Sequence, residues 1–191
     1  MSPIEILVLL SGPVAAGKTS LRQELMEAHG FDYVRSSAYL KALAAQQNLG
    51  DGGRTSLQDL GDDLDLRSDY RWVLDDVARP GFAASPAQRR WLVDAVRKER
   101  QIEHFRDAFG TSVLHVHLTA SEDVLRQRYM TRLTTGGDAT PYEIAIQHAN
   151  EVASRGLLAI ADLVLDAGVL GPENLAEQVL AAAEKRPARC A

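Results

Sequence analysis

Ile4–Leu10 is an apolar run interrupted only by Glu5, the length of a buried strand and too short to span a bilayer. Small residues follow, and a helical spacing of apolar positions begins near Gly17. Four further short runs rich in Val, Leu, Tyr or Trp read as strands: FDYVRS (31–36), RWLVDAV (90–96), SVLHVHLT (112–119) and ADLVLDA (161–167). Between them Ile102, Phe105 and Phe109, then Leu125, Tyr129 and Leu133, recur at helical spacing. After the last run, Pro172 opens a segment with Leu175, Val179 and Ala183 on one face, and the periodicity is lost at RPARCA. Strands alternating with helices predict a three-layer α/β domain built on a five-stranded parallel sheet with right-handed crossovers. The longest interruption, about residues 37–89, has helical patterns broken by NLGDGGRTS and RPGFAASP, which predicts a partly independent helical insert.

The first strand runs into Gly12-Pro13-Val14-Ala15-Ala16-Gly17-Lys18-Thr19, a match to the phosphate-loop pattern G-x-x-x-x-G-K-[ST] in its required setting between a strand and a helix. The chemistry explains the pattern. Glycines let the backbone approach an anion closely, successive N–H groups surround it, and Lys18 supplies a cation for the β- and γ-phosphates. Thr19 offers a hydroxyl to Mg²⁺, and the helix that continues through Ser20 turns its positive end toward the same charge. ATP, or GTP, and Mg²⁺ are the expected cofactors. Asp94, near the end of the third run, is the candidate second carboxylate on the magnesium side, because such acids stand at the C-terminal ends of neighbouring strands. A surface acid at a helix start is the competing reading, and Asp75 and Asp76 are its rivals from the insert.

A length of 191 residues suits one domain with a substantial core, and 46% hydrophobic with 25% charged residues is an ordinary globular balance. A net charge of −5 argues against general nucleic-acid binding, so local arginine clusters need local explanations. The single cysteine, Cys190, has no partner for an internal disulfide, which fits a reducing cytoplasm. His115 and His117 share one face of a strand, but no third metal ligand accompanies them in sequence.

Taken together, GPVAAGKT, LVDAVRK and LRQRYMTRL resemble, in order, the nucleoside monophosphate kinase-like branch of P-loop kinases, with deoxynucleoside monophosphate kinases and dephospho-coenzyme A kinases the nearest in pattern. The resemblance implies an acceptor-binding insert after the second strand and a mobile lid, here about residues 126–155. GRTSLQDLGDDLD resembles an R-x-x-L-Q-x-L-G segment, which implies that Arg54 and Gln58 face the acceptor. Arg97 stands where relatives carry an arginine for an acceptor phosphate, and Ser37, with Ser36, ends the second strand near the acceptor. Arg128 and Arg132, one helical turn apart before the break TTGGDATP, resemble lid arginines that neutralise the transferring phosphoryl group, whereas Arg126 points elsewhere. A helical segment capped by Thr140, with Pro141 next, is expected after the break. ADLVLDAG resembles a stretch lining the adenine pocket, with Asp166 or Ala167 where relatives have asparagine.

The expectation is therefore an enzyme that moves a phosphoryl group from ATP to a small phosphorylated acceptor, a nucleoside or deoxynucleoside monophosphate. Dephospho-coenzyme A or another small metabolite is the alternative acceptor. A regulatory module that binds a nucleotide and hydrolyses it slowly is the alternative from another class. No membrane partner is expected, and the oligomeric state is open.

Overall fold

A computed structural model describes residues 4–48, 54–134 and 140–186. Cys190 and the Gly136-Gly137 break lie outside these residues. The strands are β1 (Ile6–Ser11), β2 (Asp32–Arg35), β3 (Arg90–Asp94), β4 (Val113–Thr119) and β5 (Leu163–Asp166). They form one parallel sheet in the order β2-β3-β1-β4-β5. Each of the five expected strands is present, shortened by one to three residues where the apolar runs extended into the flanking turns.

The helices are α1 (Lys18–His29), α2 (Ser36–Gln46), α3 (Arg54–Ser68), α4 (Arg79–Ala84), α5 (Glu99–Phe109), α6 (Glu122–Thr134), α7 (Tyr142–Ala145), α8 (Ala149–Gly156) and α9 (Pro172–Glu184). A π-helical turn, Val73–Ala78, leads into α4 and contains Asp75 and Asp76. The segment after the undescribed break opens at Pro141 as the cap of α7, rather than at Thr140, whose carbonyl instead accepts a hydrogen bond from the Tyr129 hydroxyl at 2.8 Å.

Because β1 is central, its alternate side chains enter two cores. Ile6, Val8 and Leu10 pack with Leu21 and Leu25 of α1, Leu125 of α6 and Leu175 and Val179 of α9. Leu7 and Leu9 face the opposite layer, with Ile102 and Phe105 of α5. The same second core contains Leu40, Leu60, Trp72, Val73, Leu74, Ala78 and Phe82. The insert is thus not partly independent: its Trp, Leu, Val and Phe side chains cover one face of the sheet. Glycine and proline breaks mark turns in a path, but they do not report which side chains the path buries.

The fold also fixes where a ligand can enter. α1 leaves β1 toward one face while α5 follows the adjacent β3 toward the other. Their C-terminal ends therefore open into a crevice, the position at which parallel α/β sheets bind ligands.

Candidate functional site

Gly12 to Gly17 form the loop between β1 and α1. Gly12 has φ 130°, and a Cβ there would lie 2.4 Å from the Leu118 carbonyl oxygen, so no other residue fits between β1 and β4. Gly17 caps α1 with φ 94°. Ala15 also adopts a positive φ, 63°, and the resulting curl of backbone amides is the concavity an anion requires.

Lys18 folds back across this loop, its Nζ donating to the Gly12 and Pro13 carbonyls at 2.6 and 2.7 Å. Burial lowers its pKa to about 8, opposed by the negative charges of Glu151 and Asp94 and reinforced by Arg97 and Arg132. These four charges converge on the lysine from α8, the end of β3 and the residues after it, and α6.

A single cavity of about 1330 Å³ joins these groups. That exceeds the range of roughly 300–1,000 Å³ usual for one small ligand, and leaves room for a donor and an acceptor side by side. Gly12, Val14, Ala15, Ala16, Gly17, Lys18, Thr19 and Ser20 line one half, together with Arg128, Arg132, Ala167 and Gly168. Pro13 is turned away from the lining and contributes its carbonyl to Lys18. Arg128 donates to the Ala167 carbonyl at 2.8 Å, tying α6 to the end of β5, while Arg126 pairs with Glu143 away from the cavity.

Ser36, Ser37, Leu40, Gln58, Asp94 and Arg97 line the other half. Arg54 begins α3, but its side chain lies outside the described residues. Asp94 forms a close ion pair with Arg22 of α1, a side chain that also lies over the Tyr33 ring. The carboxylate of Asp94 and hydroxyl of Thr19 offer oxygen ligands to the same cavity, a donor set that fits a hard cation such as Mg²⁺.

Several cavity residues escape motif reading. On α8, Glu151 Oε1 accepts the Val14 N–H at 2.7 Å, Ser154 Oγ donates to the Gly12 carbonyl at 3.1 Å, and Asn150 Nδ2 donates to Asp62 Oδ1 at 3.0 Å. One turn and a half of helix thus bridges the phosphate loop and α3. On α3, Leu57, Gln58, Gly61, Asp62 and Asp65 all line the cavity. Their three- and four-residue spacing was legible as a continuation of the Gln58 face, whereas nothing local in QHANEVASRG announces contact with a loop some 140 residues earlier.

Beneath the loop, Ser11 Oγ lies 2.7 Å from His115 Nε2 and 2.8 Å from His117 Nδ1. The two histidines face the same side, as their spacing requires, and serve a buried hydrogen-bond seam between β1 and β4. Among the described residues no group of three or more His, Cys, Asp or Glu side chains is placed to hold a metal ion. No described helix is long and apolar enough to cross a membrane.

A parallel sheet of this order, with a glycine loop leading into α1 and a crevice at the strand ends, defines an α/β P-loop kinase-like fold. The chain belongs to the AAA domain family, whose model matches residues 7–145. Solved structures similar in fold include a putative kinase from Chloroflexus aurantiacus, at TM-score 0.58 and 15% identity over 98% of this chain and 100% of that one. Shikimate kinase from Aquifex aeolicus aligns at TM-score 0.55 and 12% identity, over 94% of this chain and 96% of the other. The YorR protein from Bacillus subtilis, solved in complex with phosphorylated GDP, aligns at TM-score 0.53 and 17% identity over 93% and 95%. No curated protein matches the chain by sequence. These matches do not single out the nucleoside monophosphate or dephospho-coenzyme A branch.

Proposed function

We propose that this protein is an ATP- and Mg²⁺-dependent kinase whose acceptor is a nucleoside or deoxynucleoside monophosphate. The observation that carries the reading is the single cavity in which Lys18, Arg128 and Arg132 surround the phosphate loop on one side and Arg97 meets the insert on the other. Lys18 neutralises the β- and γ-phosphates, and Arg128 and Arg132 stabilise charge spreading over the moving group. Arg97, with Arg54, Ser37 and Gln58, holds the acceptor. Thr19 and Asp94 would hold Mg²⁺, which would supply charge neutralisation to the donor phosphates.

The acceptor phosphate oxygen attacks the γ-phosphorus as the bond to the β–γ bridging oxygen breaks, and ADP leaves. A phosphate oxygen is already ionised near neutrality, its second pKa being about 6, so this reaction needs no general base. Two features support a phosphorylated acceptor over a bare hydroxyl: Ser36 and Ser37, which open α2 instead of ending β2 as the sequence suggested, bring no carboxylate to the cavity, and Asp94 is engaged by Arg22. Neither position therefore offers a free carboxylate to take a hydroxyl proton.

ADP formation measured across nucleoside and deoxynucleoside monophosphates, dephospho-coenzyme A and unphosphorylated sugars tests the reading. Stimulation by a monophosphate is expected. Stimulation only by hydroxyl acceptors, or nucleotide binding that no acceptor accelerates, would reject it in favour of a metabolite kinase or a regulatory module.

A further inference from the structure

The acceptor half of the cavity is electrically polarised. Arg97 and the phosphate-loop cation Lys18 line it along with Asp62 and Asp65 of α3, and the Gln101 amide stands between Arg97 and Asp65. Asp62 is spoken for, accepting from Asn150 and lying 3.8 Å from Lys98. Asp65 is different: it is 5% exposed, lines the cavity, and among the described residues forms no ion pair.

Its hydrogen bonds are specific. Trp72 Nε1 and Gln101 Nε2 donate at 2.7 and 3.1 Å, and both reach the same oxygen, Oδ1. Gln101 is oriented by a second bond, its Oε1 accepting the Arg97 N–H at 3.0 Å, so its amide nitrogen must face Asp65. Trp72, Leu40, Leu57 and Val73 supply apolar walls around this acid. Burial raises the pKa of Asp65, against the two hydrogen bonds and the more distant Lys98. Oδ1 is held by these two neutral donors, while Oδ2 is not enclosed and stays accessible from the cavity, where a further donor can reach it.

We infer that Asp65 is the base-reading residue of the acceptor site, accepting a hydrogen bond from an exocyclic amino group of the acceptor's heterocycle. The inference rests on the monophosphate-kinase reading and names the class of acceptor within it. Repulsion from Asp65 keeps the acceptor's phosphate at the Arg97 end, and the base is thereby directed between the apolar walls toward α3. Cytosine, adenine and guanine each carry an amino group. Uracil and thymine flank their only N–H with carbonyl oxygens, whose lone pairs would face the carboxylate. Gln101 connects the two ends, because the glutamine that fixes Asp65 also fixes the backbone of Arg97.

CMP and UMP differ at this exocyclic group and at the adjacent N3, an acceptor in CMP and an N–H in UMP. kcat/KM for CMP, dCMP, AMP, GMP, UMP and TMP is to be measured on the wild-type chain and on Asp65→Asn, with melting temperatures for both. Asn retains Oδ1 for Trp72 and Gln101 but presents an N–H₂ where the second oxygen was. At least one amino-bearing monophosphate is expected to exceed its carbonyl counterpart by about 100-fold or more, chiefly through KM, since a site built around a polar partner rejects analogues that leave it unpaired. Asp65→Asn should reduce that ratio at least about tenfold while melting close to wild type. Use of UMP or TMP equal to that of the best amino-bearing monophosphate, or a preference unchanged in a folded Asp65→Asn chain, overturns the inference and leaves the kinase reading standing. If Asp65→Asn fails to fold, the wild-type ratio alone decides. Absence of stimulation by every monophosphate overturns both.

Discussion

Lys18 is the residue on which the proposed chemistry depends most directly. Its ammonium is held by two carbonyls of its own loop, so it is preorganised for phosphate rather than for packing. Lys18→Ala is expected to reduce turnover to background while leaving the melting temperature nearly unchanged, and Lys18→Arg should not restore it, because a planar guanidinium cannot replace a compact ammonium between those carbonyls. Burial sets the lysine's pKa to about 8, and the sign of its pH dependence follows. The protonated form binds phosphate, so ADP affinity should hold below that value and weaken above it, approaching tenfold per pH unit. Calorimetric titrations from pH 7 to 10 would show this slope in wild type and its loss in Lys18→Ala. A flat wild-type profile would place the phosphate charge elsewhere.

At the scale of elements, α6 and α8 carry the charged side chains that surround the phosphate loop. Arg128 and Arg132 project from one face of α6 into the cavity. If they act on the transition state, alanine at either should lower kcat by about 100- to 1,000-fold with little change in ATP affinity. Single-turnover rates paired with separate binding measurements distinguish this from a surface helix, for which neither quantity moves. α8 acts in the opposite sense. Glu151 places a carboxylate on the Val14 N–H, inside the concavity that would receive the anionic donor phosphates, with Arg155 Nε at 3.5 Å. Glu151→Gln keeps an oxygen for Val14 but removes the like charge, and should tighten ATP binding by about tenfold, about 1.4 kcal/mol. Weaker ATP binding by the variant would show that the carboxylate organises the loop instead of competing for it.

For the molecule as a whole, acid stability should trace the seam between β1 and β4. Burial lowers the pKa of both His115 and His117 to about 4 from 6.5, with Arg106 further depressing His115 and Lys18 and His115 further depressing His117, while Ile160 and Asp162 oppose the shift at His115. The unfolded chain therefore binds protons that the folded chain refuses between pH 6.5 and 4. Stability should fall as pH drops through that window, by up to about 1.4 kcal/mol per pH unit for each proton. Urea unfolding at pH 7, 6, 5 and 4 would measure it. A His115→Gln, His117→Gln double variant should flatten the slope above pH 5, and an unchanged slope would assign the effect to carboxylates.

Much of this protein was determined by local sequence. The apolar run before Gly12 and the spacing of Gly17, Lys18 and Thr19 specify a strand, a loop and a helix through short-range sterics and hydrogen bonding, and the alternation of later segments specifies a parallel sheet. The same locality made Arg128 and Arg132 readable as one helix face. What tertiary structure decided is every relation carried across large separations. Ser11 could not be seen to join two histidines more than a hundred residues away, Glu151 could not be seen to reach Val14, and the insert could not be seen to seal a core. Asp65 was an ordinary acid on a helical stripe until Trp72 and Gln101 enclosed it. Backbone propensities and periodicity act over a few residues, whereas burial and charge are properties of whichever distant side chains the fold brings together.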